Sequence, residues 1–253
     1  MRDSLTMFRR QLLHMRRYPS LTIMLLAQPV LFLLLFVYVL GGSLGASLGG
    51  GRSQYLIYIV PAILVIAVAS VALGTAVSIA TDMTGGVIAR FRTMAIARAS
   101  VLTGHVLGAM AQTALAVAVS ALVAVALGYR SSAGVPDWLV TVCVLGAFGF
   151  ALTWLTVALG LAADSVETAS NTPMFLVFLP FLGSGFVPTD SMPAGLRWFA
   201  EYQPFTPVME AVRGSLAGAV EASDVWLALG WSTGIAALGY LWARRLYRSR
   251  VVG

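Results

Sequence analysis

Lysine is absent from the 253 residues, and all 16 basic side chains are arginine. The phosphate-binding loop of nucleotide hydrolases needs a lysine that reaches the β- and γ-phosphates, so this chain cannot carry that loop. Protein-kinase chemistry and Schiff-base catalysis fall on the same ground. Cysteine is nearly absent. Cys143 stands alone, which excludes an internal disulfide and a cysteine-based zinc site; its apolar neighbours predict a small buried hydrophobe. Charge is scarce as well. Charged residues make up 10% of the chain, against roughly 25% in soluble domains. That is too few to coat a soluble domain of this size, and it excludes an ordinary cytosolic enzyme. What fills the chain is apolar: 59% hydrophobic residues and a mean hydropathy of +0.88. This composition predicts an all-α polytopic membrane protein, organised as a single transmembrane domain over 1–253.

A spanning helix needs about 20 largely apolar residues. Six stretches meet or approach this: Leu21–Leu40, Leu56–Ala80, Val101–Leu127, Trp138–Ala163, Thr172–Val187 and Val225–Ala243. The fifth is short and contains Pro180. The first is too long, and its basic leader too extended, for a signal peptide. Arginine orients these spans. The leader, the 2–3 loop and the C-terminal tail together hold twelve, while Arg52, Arg130, Arg197 and Arg213 fall on the other side. The positive-inside bias therefore predicts a cell-membrane protein with both termini cytoplasmic. The charge is then mostly membrane anchoring, and nucleic acid is not an expected partner.

Local patterns add detail. Leu5, Phe8, Leu12 and Met15 form one apolar stripe flanked by Arg9, Arg10, Arg16 and Arg17, as expected of an amphipathic helix lying in the headgroup plane. Pro19 ends that helix and turns the chain into the bilayer. In the 2–3 loop, Gly85-Gly86 is a break. After it, Val87, Ile88, Phe91, Met94 and Ala95 recur at helical spacing, with Arg90, Arg92 and Arg98 between and beyond them. This reads as a short amphipathic helix along the cytoplasmic face, either resting on lipid headgroups or docking a cytoplasmic partner. The 5–6 connection alternates apolar and polar groups and is divided by Pro193, Pro204 and Pro207. Short helices dipping into the outer leaflet or capping a cavity fit it. Glu201, Glu210 and Arg213 there pair with one another, line a vestibule or sit in solvent.

Acids and histidines are nearly missing inside the spans. His14, His105, Asp82, Asp164 and Glu167 fall near cytoplasmic boundaries, which argues against a proton relay. The polar Gln28, Gln112, Ser78 and Thr153 read as helix-packing groups or cargo contacts. Gly41-x-x-x-Gly45, Gly104-x-x-x-Gly108 and Gly230-x-x-x-Gly234 permit close helix contacts. Ser184 and His105 fall at opposite faces of the membrane, so they do not form a nucleophile and base within reach of each other. No metal site is expected.

Several stretches resemble a known family. They are Gly85-Gly86-Val87-Ile88-Ala89-Arg90-Phe91-Arg92 with Ile96-Ala97-Arg98 and Val101-Leu102-Thr103-Gly104; Gly185-Phe186-Val187-Pro188-Thr189-Asp190-Ser191-Met192-Pro193 leading to Leu196-Arg197-Trp198; Gln203-Pro204-Phe205-Thr206-Pro207-Val208 ending in Glu210-Ala211-Val212-Arg213-Gly214; and Glu167-Thr168-Ala169. Over nearly its whole length the chain resembles a permease subunit of the ABC-2 type of ATP-binding-cassette exporters, in the branch of daunorubicin/doxorubicin resistance permeases. Ala95 stands where the family often has Pro, and Thr81 where it often has a second acid beside Asp82.

The resemblance implies six membrane helices, an N-terminal interfacial helix, a cytoplasmic coupling helix and re-entrant helices between spans five and six. It implies that Ile88, Arg90, Phe91, Arg92, Met94, Arg98 and Asp82 couple the chain to an ATP-binding subunit. Asp164 and Glu167 are candidates for a second cytoplasmic contact, and Phe186, Trp198, Phe205 and Glu210 for the exit region. The implied assembly pairs two permease chains, identical or homologous, with two ATP-binding-cassette ATPase subunits in a lipid bilayer. The chain itself would hold no cofactor and catalyse nothing; ATP and Mg2+ would sit in the partner subunit. The implied function is export of a hydrophobic or amphipathic drug, natural product or lipid. The alternatives are a gradient-driven secondary transporter or channel, and a membrane-embedded enzyme. The first lacks internal ionisable groups and repeat symmetry. The second lacks a convergent His/Asp/Glu/Cys set.

Overall fold

The structure, a computed structural model, describes residues 19–85 and 98–252, with side chains placed for 22–85 and 102–248. Every regular element among the described residues is helical. Helix α1 (Pro19–Leu35) passes through a π-helical turn (Phe36–Leu40) into α2 (Gly41–Ser47). Then come α3 (Gly51–Thr84), α4 (Arg98–Ala126), α5 (Val135–Ala162) and α6 (Val166–Asn171). The chain continues through short turns into α7 (Phe175–Phe178), α8 (Ala194–Tyr202), α9 (Phe205–Ala217) and α10 (Ala222–Val252). Among the described residues five stretches are long and apolar enough to cross a membrane: Thr22–Ser47, Gly51–Thr84, Leu102–Ala126, Val135–Ala162 and Ala222–Arg248.

Local chemistry sets the helix ends. Pro19 opens α1, where its missing N–H removes no intrahelical bond. Helix α3 stops at Thr84, and the Gly85 N–H closes its last turn on the Thr81 carbonyl. The turn between α2 and α3 needs glycine. Gly49 and Gly51 have φ of +78° and +67°, a region that side chains with a Cβ rarely enter. A Cβ on Gly45 would fall 2.0 Å from the Gly51 carbonyl oxygen.

Helix α3 is the axis of the bundle. Of its most apolar window 83% is buried, against 22% for the first span and 17% for the last. A helix that is apolar all round belongs inside, and α1, α4, α5 and α9 all pack on it. The outer helices turn Ile23, Leu31, Leu115, Leu122, Leu227 and Leu238 outward, as spans facing hydrocarbon do. Cys143 departs from the sequence expectation: it is exposed on α5, beside the exposed Val142. The helical period turns Cys143 away from the buried Thr141 and Val144, so its apolar surroundings lie outside the bundle.

The stretch expected to be a fifth span also differs. It is a chain of short helical pieces: 3₁₀ at Thr172–Met174, α at Phe175–Phe178, then 3₁₀ at Leu179–Leu182. Each 3₁₀ piece contains a proline, Pro173 or Pro180. Proline removes one donor and crowds the preceding turn, and the tighter 3₁₀ winding accommodates that. The 5–6 connection forms two short helices, α8 following Pro193 and α9 following Pro204, as its proline pattern predicts. The expected interfacial helix over Leu5–Arg17 and the positions Ile88, Arg90, Phe91, Arg92 and Met94 lie outside the described residues. So does the side chain of Arg98, whose backbone begins α4.

Candidate functional site

Helices α3 and α4 emit the connection 86–97 at the end of the bundle that also carries Arg244, Arg245 and Arg248. Just inside it lies a compact apolar cluster of Ile79 from α3, Leu102 and Val106 from α4, Val157 and Leu161 from α5, and Ala243 and Tyr247 from α10. Two glycines bring these helices together. A Cβ on Gly160 would lie 2.6 Å from the Ala76 carbonyl oxygen. One on Gly239 would lie 2.6 Å from the Leu155 nitrogen. These bare positions, and not Gly230-x-x-x-Gly234, make the close approaches; Gly230 and Gly234 face open space.

A polar link joins α3 and α4 at this end. Asp82 Oδ2 lies 3.0 Å from His105 Nε2, and the His105 side chain is only 4% exposed. The imidazole donates to the carboxylate, while its Nδ1 is buried without a protein partner. Asp82, expected at the coupling surface, is therefore also a strut that holds the two exits of the connection at a set spacing. Replacing Asp82 with Ala strips Nε2 of this acceptor. A buried donor left unmade costs about 1–3 kcal/mol. The expected result is a lower melting midpoint for Asp82→Ala, partly recovered in Asp82→Ala/His105→Phe, where the imidazole donor is gone as well. If the double variant melts no higher than the single, the strut reading fails.

Asp164 and Glu167 lie exposed at the same end, around the turn from α5 to α6. Ser165 Oγ accepts the Thr168 N–H and caps α6. The Glu167 carboxyl is held below its ordinary value, first by its own backbone N–H and then by the Ser165 hydroxyl, so it is an anion at neutral pH. Helix α6 packs on α3, which connects this acidic turn to the helix that carries Asp82.

At the opposite end, the turn Gly183-Ser184-Gly185 closes the broken segment. Its centre is the Ser184 carbonyl. That oxygen accepts from the Tyr58 hydroxyl at 2.7 Å and from Arg213 Nη2 at 2.9 Å. The Arg213 guanidinium stacks 4.2 Å over the Tyr58 ring and donates through Nη1 to Glu210 Oε1. Gln203 Nε2 donates to the Leu179 carbonyl at 3.0 Å. The flanking glycines let this happen: a Cβ on Gly183 would meet Gln203 Nε2 at 2.4 Å, and one on Gly185 would meet Met209 Sδ at 2.7 Å. Beside the turn, Phe181 and Phe186 stack with centroids 4.4 Å apart, and Phe36 lies 4.5 Å from Phe186. Phe36 belongs to the π-helical turn of the first span, so that irregularity faces the broken segment.

The four candidate exit residues thus occupy three settings. Phe186 is buried in the aromatic stack, and Phe205 is fully buried edge-on to Phe148. Glu210 pairs with Arg213. Trp198 is exposed on α8 beside Tyr202. On the same helix Arg197 bridges Asp190 and Glu201. Sequence reasoning grouped Glu201, Glu210 and Arg213; the structure separates Glu201 from the other two. It missed Tyr58, whose only sequence signal was a phenol near the start of an apolar run, and it had no route to Phe36 and Phe181 as partners of Phe186, or to Phe32 as a partner of Phe181. Among the described residues no group of three or more His, Cys, Asp or Glu is placed to hold a metal ion.

The family model for ABC-2 type transporters matches residues 3–217. The daunorubicin resistance ABC transporter permease protein DrrB1 of Streptomyces coeruleorubidus is 30% identical over 248 residues, covering 98% of this chain and 86% of that protein. A Mycobacterium tuberculosis protein named "Probable doxorubicin resistance ABC transporter permease protein DrrC" is 25% identical over 207 residues, covering 82% of this chain and 74% of the relative. A chain whose described residues form a helical bundle with five membrane-length helices, matched by this family model over most of its length, is a multi-pass membrane protein, and it belongs to the ABC-2 type transporter family.

Proposed function

We infer that this chain is the permease subunit of an ATP-binding-cassette exporter that moves a hydrophobic or amphipathic compound out of the cell. The names of its relatives suggest drug-like cargo, and the nearly uncharged spans suit an apolar one. A separate ATPase subunit, in two copies, supplies the energy and holds ATP and Mg2+. A second permease chain completes the pathway.

What carries this reading is the anchoring of connection 86–97. Both of its exits, Asp82 on α3 and His105 on α4, are tied together above a cluster shared by four long helices. A force applied to this connection reaches those helices as one body, because close-packed interiors transmit strain. Ile88, Phe91 and Met94 fill a groove on the motor, Arg90, Arg92 and Arg98 make polar contacts to it, and Asp164 and Glu167 offer a second contact at the same end. The arginine-rich end is cytoplasmic, and with it both termini.

The path from α6 to Leu182 is the sixth crossing. Its α and 3₁₀ turns together rise about 30 Å, close to the thickness of the hydrocarbon core. The 3₁₀ windings stretch a span that would otherwise be short. The aromatic stack around Phe186 and the Arg213 clasp then mark the exit side, where α8 and α9 cover the irregular backbone.

The test is a paired purification, with and without the candidate ATPase, followed by vanadate-sensitive ATP hydrolysis. Only the pair is expected to hydrolyse ATP. Phe91→Asp in that pair is expected to abolish cargo-stimulated hydrolysis while the permease elutes from size exclusion as wild type does. Stimulation at the wild-type level in this variant counts against the coupling role.

A further inference from the structure

A groove of about 460 Å³ runs between α5 and α10 on the outside of the bundle. Its walls are Ala147, Phe150 and Trp154 on one side and Ala236, Ala237 and Tyr240 on the other. At one end Trp154 meets Tyr240 edge-on, with centroids 4.9 Å apart. The remaining wall residues, Ser232 and Thr233, spend their hydroxyls on their own helix, donating to the Ala228 and Leu229 carbonyls at 2.7 Å each. The groove therefore offers mostly apolar surface, its remaining side-chain donors being the Trp154 indole and the Tyr240 phenol at one end, and this lining suits a hydrocarbon chain.

The same face of α10 leads to charge. Arg244 lies one turn beyond Tyr240, and Arg248 one turn beyond that. Both are exposed, as is Arg245, and none of the three has a carboxylate partner among the described residues. From Ser232 to Arg244 the helix rises about 18 Å. One leaflet of hydrocarbon is about 15 Å deep. A phospholipid with its phosphate at Arg244 would thus end its chain at the far end of the groove. A helix with its side chains is about 10–12 Å across, and a single acyl chain is far thinner.

We propose that this groove binds one anionic phospholipid, with an acyl chain between α5 and α10 and the phosphate on Arg244. The site concerns the permease alone and does not depend on what drives transport. Arginine suits it because its planar fork holds two phosphate oxygens at once.

The experiment takes the full chain, reconstituted into vesicles of equal phosphatidylglycerol and phosphatidylcholine, extracted into detergent and weighed by native mass spectrometry. Wild type is expected to retain one phosphatidylglycerol per chain, at least about fivefold over phosphatidylcholine. Arg244→Gln is expected to bring the two lipids to near parity. Ala237→Phe, or the smaller Ala236→Leu should that variant fail to fold, fills the groove and is expected to lower retention of either lipid about fivefold. Arg197→Gln, which removes one charge at the opposite end, is expected to keep the wild-type pattern. Equal retention of both lipids by wild type overturns the proposal. So does undiminished retention in the groove-filled variants, or a loss of headgroup preference in Arg197→Gln matching that in Arg244→Gln. A groove-filled variant that changes oligomeric state and leaves lipid retention alone would instead make the groove a contact between copies.

Discussion

Gly160→Leu is expected to prevent stable assembly of the bundle. The Cβ of any other residue at this position would lie 2.6 Å from the Ala76 carbonyl oxygen and 3.1 Å from the Ala76 Cα and Ile79 Cβ. These obstacles are mostly backbone of the central helix, so no rotamer change relieves them. Overpacking a core costs about 1–3 kcal/mol where side chains can yield, and an obstacle of backbone puts the cost at or above the top of that range. The displaced helices are α3 and α5, which also frame the cluster of Ile79, Leu102, Leu161 and Tyr247. The wedge therefore loosens the block to which connection 86–97 is anchored. Gly146→Leu, on the same helix with nothing within 4 Å of the added carbon, is the control. It is expected to express and melt like wild type, because a leucine there meets open space and gains up to about 1 kcal/mol of helix propensity. The comparison is the yield of monodisperse protein and the melting midpoint of both variants. Equal behaviour would show that the α3–α5 approach is not needed.

Arg213→Met is expected to cause the second large loss, and adding Glu210→Leu to restore most of it. Arg213 donates to the Ser184 carbonyl and to Glu210, and covers the Tyr58 ring. Its side chain is 19% exposed and that of Glu210 34%. The pair is thus neither a surface bridge, worth about 0–1 kcal/mol, nor fully buried, where removing one partner costs about 3–5 kcal/mol. A loss of about 2–3 kcal/mol is expected for Arg213→Met, because Glu210 is left as an unpaired anion and the Ser184 carbonyl loses one donor. In the double variant no charge is stranded, while Tyr58 still donates to Ser184. Melting midpoints of the two single variants and the double form the cycle. If the double variant is no more stable than Arg213→Met, the loss comes from the Ser184 contact and the charge pair is incidental.

Much of the architecture was legible in the chain because it is written locally. Four of the six apolar runs became membrane-length helices that begin a few residues before the run, and the first run continued through a π turn to Ser47. Gly85 ended α3, and Pro193 and Pro204 preceded the two short helices of the last connection. Each such signal acts within one turn of helix. The fifth run fell short for a local reason also present in the chain: Pro173 and Pro180 stand seven residues apart, and each admits only a tight turn. Cys143 was misplaced because an apolar neighbourhood describes a membrane-facing surface as well as a core; hydropathy alone does not separate lipid from protein.

The candidate site divides along the same line. Asp82 and His105 were both assigned to one boundary, yet nothing in the spacing of residues 23 apart on two helices says that they touch. Tyr58 and Arg213 reach Ser184 across 126 and 29 positions. Gly160 and Gly239, which bring long helices together, belong to none of the small-residue repeats, and Gly45 of the first repeat meets only the turn before α3, since close approach depends on which face a neighbouring element covers. The sequence by itself determined the membrane class, the helical content and the break points, all consequences of hydropathy and backbone restriction along the chain. Only the tertiary structure decided which helix is central, how the broken segment is clasped, and which polar groups meet inside, because those depend on contacts between residues that no period of the helix relates.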